Sequence, residues 1–167
     1  DVGLGKTHLL HAIANHLAAS QPNLRLLYTS SRDFTNGLID AIQNNTIRSF
    51  RTLHKSADFL MIDDIQALSG QERAQEEFFQ IFNALYQANR QIVLTSDRPP
   101  KEITHLEKRL RSRFGSGIIV DIQAPALETR IAILRSEAQA MGLAINDEIL
   151  EAIALEIDSN IRELKAA

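Results

Sequence analysis

Gly3, Gly5, Lys6 and Thr7 stand together near the start of the chain, in "DVGLGKTHLL". Glycines let a backbone curl around phosphate oxygens, a lysine reaches β- and γ-phosphates, and a threonine hydroxyl can hold Mg2+. The helix start that follows would offer unpaired N–H groups and a partial positive charge to an anion. Gly5, Lys6 and Thr7 fill the last fixed positions of G-x-x-x-x-G-K-[ST], but its first glycine would fall one residue before Asp1. On its own the stretch is either a phosphate loop cut at its first glycine or a Gly-rich turn before a helix.

"LMIDDIQ" bears on that choice. An apolar run ending in Asp63 matches a strand end whose carboxylate holds Mg2+, and Asp64 beside it could polarise an attacking water. The alternative is an acidic strand end facing solvent. Taken with Lys6 and Thr7, the two carboxylates favour nucleoside triphosphate binding. "VLTSDRPP" is a third polar strand end. Ser96 and Asp97 there either orient water near a γ-phosphate or simply make a turn.

Two basic elements remain. In "EKRLRSRFG", Arg109 and Arg113 fall on one helix face, with Lys108 and Arg111 pointing elsewhere. They form either a solvated stripe or arginine fingers that reach a neighbour's phosphate. Arg162 in "NIRELK" either closes on the same phosphate or is an exposed arginine paired with Glu163 or Glu156. His8, His11, His16, His54 and His105 show no metal-ligand spacing and read as surface or partly packed residues.

Positioning these groups requires alternating elements. Helical spacing of Leu9, Ala12, Ile13, His16 and Leu17 predicts a helix from Lys6 to about Ala19. Strands are expected at 23–30, 58–64, in "QIVLTSD" and in "GIIVDIQ", with helices over 32–45, 46–55, "QERAQEEFFQIFNALYQANR" and "HLEKRLRSRF". After Pro125 three helical segments follow with no strand between them. Alternation implies a parallel α/β sheet with helices on both faces, and the tail implies a small helical lid. The expected division is a nucleotide-binding part over 1–124 and a lid over 125–167.

Composition sets the bounds. With 167 residues, 44% hydrophobic and 23% charged, the chain can bury a sizeable core. A net charge of -3 gives no global basic signature, so any nucleic-acid contact must be local, through residues such as Arg48, Arg51, Lys55 and Arg73. Those four read equally as a solvated basic face. Without cysteine there is neither disulfide nor thiolate metal site. No apolar run approaches the roughly 18 residues of a membrane span, and no signal peptide is visible, so a cytoplasmic location is expected.

With these residues assembled, the chain resembles the AAA+ ATPase domain of the bacterial DnaA replication initiators. "GLGKTHLLHAIAN", "LMIDDIQALSGQERAQEEFFQIFNALYQANRQIVLTSDRPPKEI", "RLRSRFGSG", "LETRIAIL" and "SNIRELK" carry the resemblance, in family order and spacing. "TSDRPPKEI" followed by "RLRSRFGSG" is its most specific part. The resemblance implies an AAA+ sheet with a helical lid and a site for ATP and Mg2+. Gly3, Gly5, Lys6, Thr7 and His8 would belong to the nucleotide loop, and Thr7 and Asp63 would hold the metal. Asp64 would complete the Walker B pair, Asp97 is similar to sensor 1, and Arg162 to sensor 2. Arg113 is similar to the arginine finger that reads ATP on the adjacent protomer, and Arg109 to a second arginine at that boundary.

The resemblance further implies that "LIDAIQNNTIRSFRTLHK" is the initiator-specific helical insertion. Ile39 and Arg73 would touch single-stranded DNA. Implied partners are origin DNA, further copies joined head to tail, and the replicative helicase and regulatory proteins through regions outside this chain; lipid binding is implied too. Gln71 stands where the family often has a lysine, and "RELKAA" replaces the usual "RELEGAL", so the last lid helix is expected to be altered or cut. The strand ahead of the P-loop is expected to lie outside the chain, so nucleotide binding by these residues alone is expected to be weak or absent. Rival readings are a DnaC-type helicase loader, a non-hydrolysing regulatory partner of the initiator, and a truncated product without activity.

Overall fold

The computed structural model describes residues 3–158, 160–164 and 166. Three short strands, β1 (Leu26–Ser30), β2 (Phe59–Asp63) and β3 (Gln91–Leu94), form a parallel sheet in the order β1-β2-β3. The register pairs Tyr28 with Met61 and Met61 with Val93, and it sets Ser30 beside Asp63. β2 is central and sealed on both faces, with Leu60, Met61 and Ile62 almost fully buried. Burying each such side chain stabilises by about 1.5–3 kcal/mol as an upper figure.

The chain divides into two compact units, 7–119 and 1–6 with 120–167. In the larger unit, α1 (Lys6–Ser20) continues from the glycine-rich stretch. Leu10 is its buried residue, with Ile13, Ala14 and Leu17 half-buried, while Leu9, Ala12 and His16 are exposed. The buried stripe is therefore turned by about one position from the one its spacing suggested. The Tyr28 ring meets His11 of α1 edge to face, with ring centres 4.7 Å apart. The other sheet face carries Leu60 and Ile62 into the main core with α2 (Ser31–Gln43), α3 (Ile47–Lys55), α4 (Glu72–Gln87) and α5 (Lys108–Gly115). Phe34, Phe78, Phe82 and Phe114 fill that core.

At the amino ends of the strands, one carboxylate gathers two arginines. Asp58 accepts from Arg25 Nη2 at 3.0 Å, Arg25 Nε at 3.1 Å and the Arg25 amide at 3.0 Å, and it also pairs with Arg90. The hydrogen bonds from Arg25 hold its carboxyl down at about 2. A short 3-10 turn, Ile65–Leu68, follows β2.

The smaller unit is helical: α6 (Leu127–Ala140), α7 (Asp147–Glu156) and α8 (Ile161–Leu164) surround Leu134, Leu150, Ala154 and Leu164. Arg130 ties it internally by donating to the carbonyls of Pro125 and Ala154, both at 2.9 Å. The expected change in the last helix falls partly on Lys165 and Ala167, outside the described residues.

One expected element is absent. "GIIVDIQ" (117–123) forms no strand, and Ile118, Ile119 and Val120 are exposed. An apolar β-branched run becomes a strand only when a neighbour takes up its backbone N–H and C=O groups. No ladder partner for it exists among the described residues.

Candidate functional site

Strand parity builds the centre of the site. Tyr28, Met61 and Val93 point to one face, and Asp63 and Thr95 follow Met61 and Val93 by two residues, so they share it. Thr7, in the first turn of α1, meets them there. The Asp63 carboxylate is 5% exposed and receives three hydroxyls: Thr7 at 2.6 Å, Tyr28 at 3.5 Å, and Thr95. Thr7 and Asp63 lie 56 positions apart in the sequence. Burial, then the Asp63 charge, pushes the Tyr28 phenol above its ordinary value, so it stays a proton donor.

Asp64 turns the opposite way. Its φ of 56° is left-handed, a conformation Asp tolerates better than most residues, and its side chain is exposed. Its N–H donates to Thr95 Oγ1 at 2.9 Å, and its Oδ1 accepts from Gln66 Nε2 at 3.1 Å. Thr95 thus donates to one carboxylate residue and accepts from the next. Asp97 is gripped by Arg98 through two bonds of 2.8 and 2.9 Å. Those bonds lower the Asp97 carboxyl below its ordinary value.

No cluster of three or more His, Asp or Glu ligands occurs among the described residues. What the site offers is two oxygens, on Thr7 and Asp63, 2.6 Å apart. That is close to the ~3 Å between neighbouring ligands in an octahedron of 2.0–2.1 Å radius. Mg2+ takes few protein ligands and completes its shell with water and phosphate oxygens, so the pair fits it.

The glycine-rich stretch belongs to the smaller unit and packs on α8. Gly3 has φ +79°, and a Cβ there would lie 2.8 Å from Asn160 Oδ1. Its carbonyl accepts the Ile161 N–H at 3.0 Å. Gly5 is also left-handed, Lys6 is half-buried, His8 is exposed, and Arg162 projects from α8 as an exposed residue.

Two of the three α5 arginines rest on aromatic rings of α4. Arg109 lies 4.3 Å over Phe79 and pairs with Glu107, and Arg113 lies 5.1 Å over Tyr86. Arg111 points elsewhere and donates to the carbonyls of Ile103 and Leu106.

Ile39 and Arg73 come together on one small groove of about 250 Å³ with Leu38, Ile42 and Gln71. Of the other local cations, Arg51 is held by Glu77 through two bonds of 2.7 Å and is no free basic group. A wider groove of about 910 Å³ lies along α3, α4 and α5, lined by Arg51, Lys55 and Arg109 with Glu76, Glu77 and Glu107. Its charges alternate, and Asp63 does not line it.

Sequence reasoning missed Thr95, Tyr28, Gln66 and Arg98. Thr95 had a usable signal, since it falls two residues after a strand residue that shares the Met61 face.

A parallel sheet with a strand-end carboxylate bonded to the threonine of Gly-Lys-Thr defines a P-loop NTPase fold of the AAA+ class. Residues 1–121 match the family described as "Bacterial DnaA ATPAse domain". The chain belongs to that family. The chromosomal replication initiator protein DnaA of Deinococcus radiodurans is 55% identical over 167 residues, covering 100% of this chain and 36% of its own length. Domain III of the Thermotoga maritima replication initiation protein DnaA superposes with a TM-score of 0.94 at 38% identity, covering 99% of this chain and 69% of that one. A replication initiator DnaA bound to AMPPCP and single-stranded DNA gives 0.87 at 38% identity, covering 99% and 51%. The chain spans 36% to 38% of the length of the curated relatives it matches. No described helix is long and apolar enough to cross a membrane.

Proposed function

We propose that the protein carrying this chain is an ATP-dependent initiator of chromosomal replication, in which ATP acts as an assembly switch. The observation that carries this reading is the Thr7–Asp63 bond at the end of the central strand, in a chain of this family. Lys6 would bind the β- and γ-phosphates, and Thr7 and Asp63 would hold Mg2+. When bound, that ion supplies charge neutralisation at the phosphates. Asp64, exposed at a left-handed corner, would orient the attacking water, with Asp97 and Arg162 sensing the γ-phosphate. The proposed division of labour is 1–124 for the nucleotide and 125–167 as lid.

Arg113 would touch the γ-phosphate of a neighbouring copy, with Arg109 at the same boundary. Such a contact is heterologous, so it can build an open helix, here on origin DNA. Ile39 and Arg73, side by side on their groove, would meet the single strand. Slow hydrolysis would remove the γ-phosphate and release the contact, as in other γ-phosphate switches. The binding of AMPPCP and single-stranded DNA by a relative supports this reading.

The test is assembly of the full-length protein on single-stranded DNA with ATP or ADP. ATP should drive assembly and ADP should not, and Arg113→Ala should abolish it while leaving ATP affinity intact. Assembly that ignores the nucleotide, or survives Arg113→Ala, rejects the switch.

A further inference from the structure

Arg113 differs from Arg98, Arg109 and Arg51 in what holds it. Arg98 is bound to Asp97, Arg109 to Glu107 and Arg51 to Glu77. No carboxylate among the described residues pairs with Arg113, whose guanidinium instead lies 5.1 Å over the Tyr86 ring. That ring is 55% exposed, a large apolar surface to leave in water at the last turn of α4. It is not loose: Tyr86 stacks on Phe82 at 12° with centres 6.3 Å apart. Phe82 in turn meets Phe114, the residue after Arg113, with centres 6.0 Å apart. Phe114 is buried and anchors α5 in the core. The backbone of α5 and the side chain of Arg113 are therefore fixed by one aromatic column, Phe114–Phe82–Tyr86.

We infer that Tyr86 is a positioning residue for Arg113: its ring face holds the guanidinium ready for a phosphate presented by a neighbouring copy. This rests on the assembly reading above. A carboxylate would hold the side chain as well, but it would neutralise the charge and compete with phosphate for the N–H donors. A π face attracts the cation without a net charge of its own and leaves the in-plane donors free. Holding the fork in place before encounter lowers the ordering cost of each new contact.

The experiment uses the full-length protein and reads the protein concentration at which it assembles on single-stranded DNA, with ATP and with ADP. Tyr86→Leu keeps an apolar cover on Phe82 but removes the π face. It should raise the ATP-dependent concentration about two- to fivefold, the worth of one exposed cation–π contact. Its ATP affinity and melting temperature should match the parent, and Tyr86→Phe should behave as the parent does. A general packing role would lower the melting temperature along with assembly; the inference requires ATP-dependent assembly to weaken while the melting temperature holds. If Arg113→Ala blocks assembly but Tyr86→Leu assembles like the parent, the positioning role is wrong and the switch stands. If Tyr86→Phe is as impaired as Tyr86→Leu, the hydroxyl matters and the ring-face account is overturned. If Arg113→Ala itself has no effect, the assembly reading fails first, independently of Tyr86.

Discussion

The Thr95 hydroxyl accepts the backbone N–H of Asp64 at 2.9 Å while giving its own proton to Asp63. One side chain from β3's end is therefore bonded to two neighbouring aspartates, to the carboxylate of Asp63 and to the backbone of Asp64. Asp63 faces inward among hydroxyls, and Asp64 faces outward from a left-handed corner.

Thr95→Val keeps the shape and removes both bonds. Partners that orient a metal ligand typically carry ten- to a hundredfold in metal affinity or activity, so, on the proposed Mg2+ role of Asp63, metal-dependent ATP hydrolysis by the full-length protein should fall by about that factor. Nucleotide binding measured with the metal chelated should be unchanged. An equal loss with and without Mg2+ would place Thr95 outside the metal's support.

Arg73 and Arg51 make a contrasting pair. Arg73 lies exposed on the Ile39 groove, and Arg51 is bound twice to the buried Glu77. Each phosphate contact to a single strand adds about 0.7 to the slope of log affinity against log salt. Arg73→Ala should make that slope shallower by about this amount. Arg51→Ala should leave the slope alone and lower the melting temperature, since it strips the partner from a buried carboxylate. A change of slope in Arg51→Ala and none in Arg73→Ala would reverse the assignment.

His54 predicts a dependence on pH. Its ring is buried between Phe34 and Phe50, with Nδ1 2.8 Å from the Phe50 carbonyl, so the neutral ring donates from Nδ1. Burial lowers its pKa below 6.5, against the opposing pull of the Phe50 carbonyl and Glu77. As pH falls, the unfolded chain takes up this proton before the folded one does. The stability that the neutral ring confers is thus complete above about pH 6.5 and declines below it. The drop in melting temperature from about pH 8 to about pH 5.5 should be smaller in His54→Gln than in the parent. Equal drops would remove His54 as the cause.

Much of this arrangement was legible in the order of residues. Leu60, Met61 and Ile62 ahead of two aspartates mark a central strand, because only a strand covered on both faces tolerates so continuous an apolar run. Gly-Lys-Thr before a helix marked the partner for Asp63. Ser96 and Asp97 stand out in sequence where Thr95 does not, since polarity at a strand end is visible there while the face a residue takes depends on register. Asp97 reads in sequence either as orienting water or as turn chemistry; that its neighbour Arg98 donates to both its oxygens is a rotamer choice that spacing does not encode. The 117–123 run was misread because apolar β-branched content shows what a segment could pair with and not whether a partner lies beside it. The Tyr86 ring under Arg113 joins two helices and needed the packing of α4 on α5 to be seen.

Asp58, gathering Arg25 and Arg90 where the strands begin, lies at the end of the sheet opposite Asp63. In mechanical terms the three strands are beams tied together at one end, in a joint that β2 shares with the chain entering β1 and β3. The ion pairs at the rooted ends link the chain entering β1 to the chain entering β3 through a residue just ahead of β2.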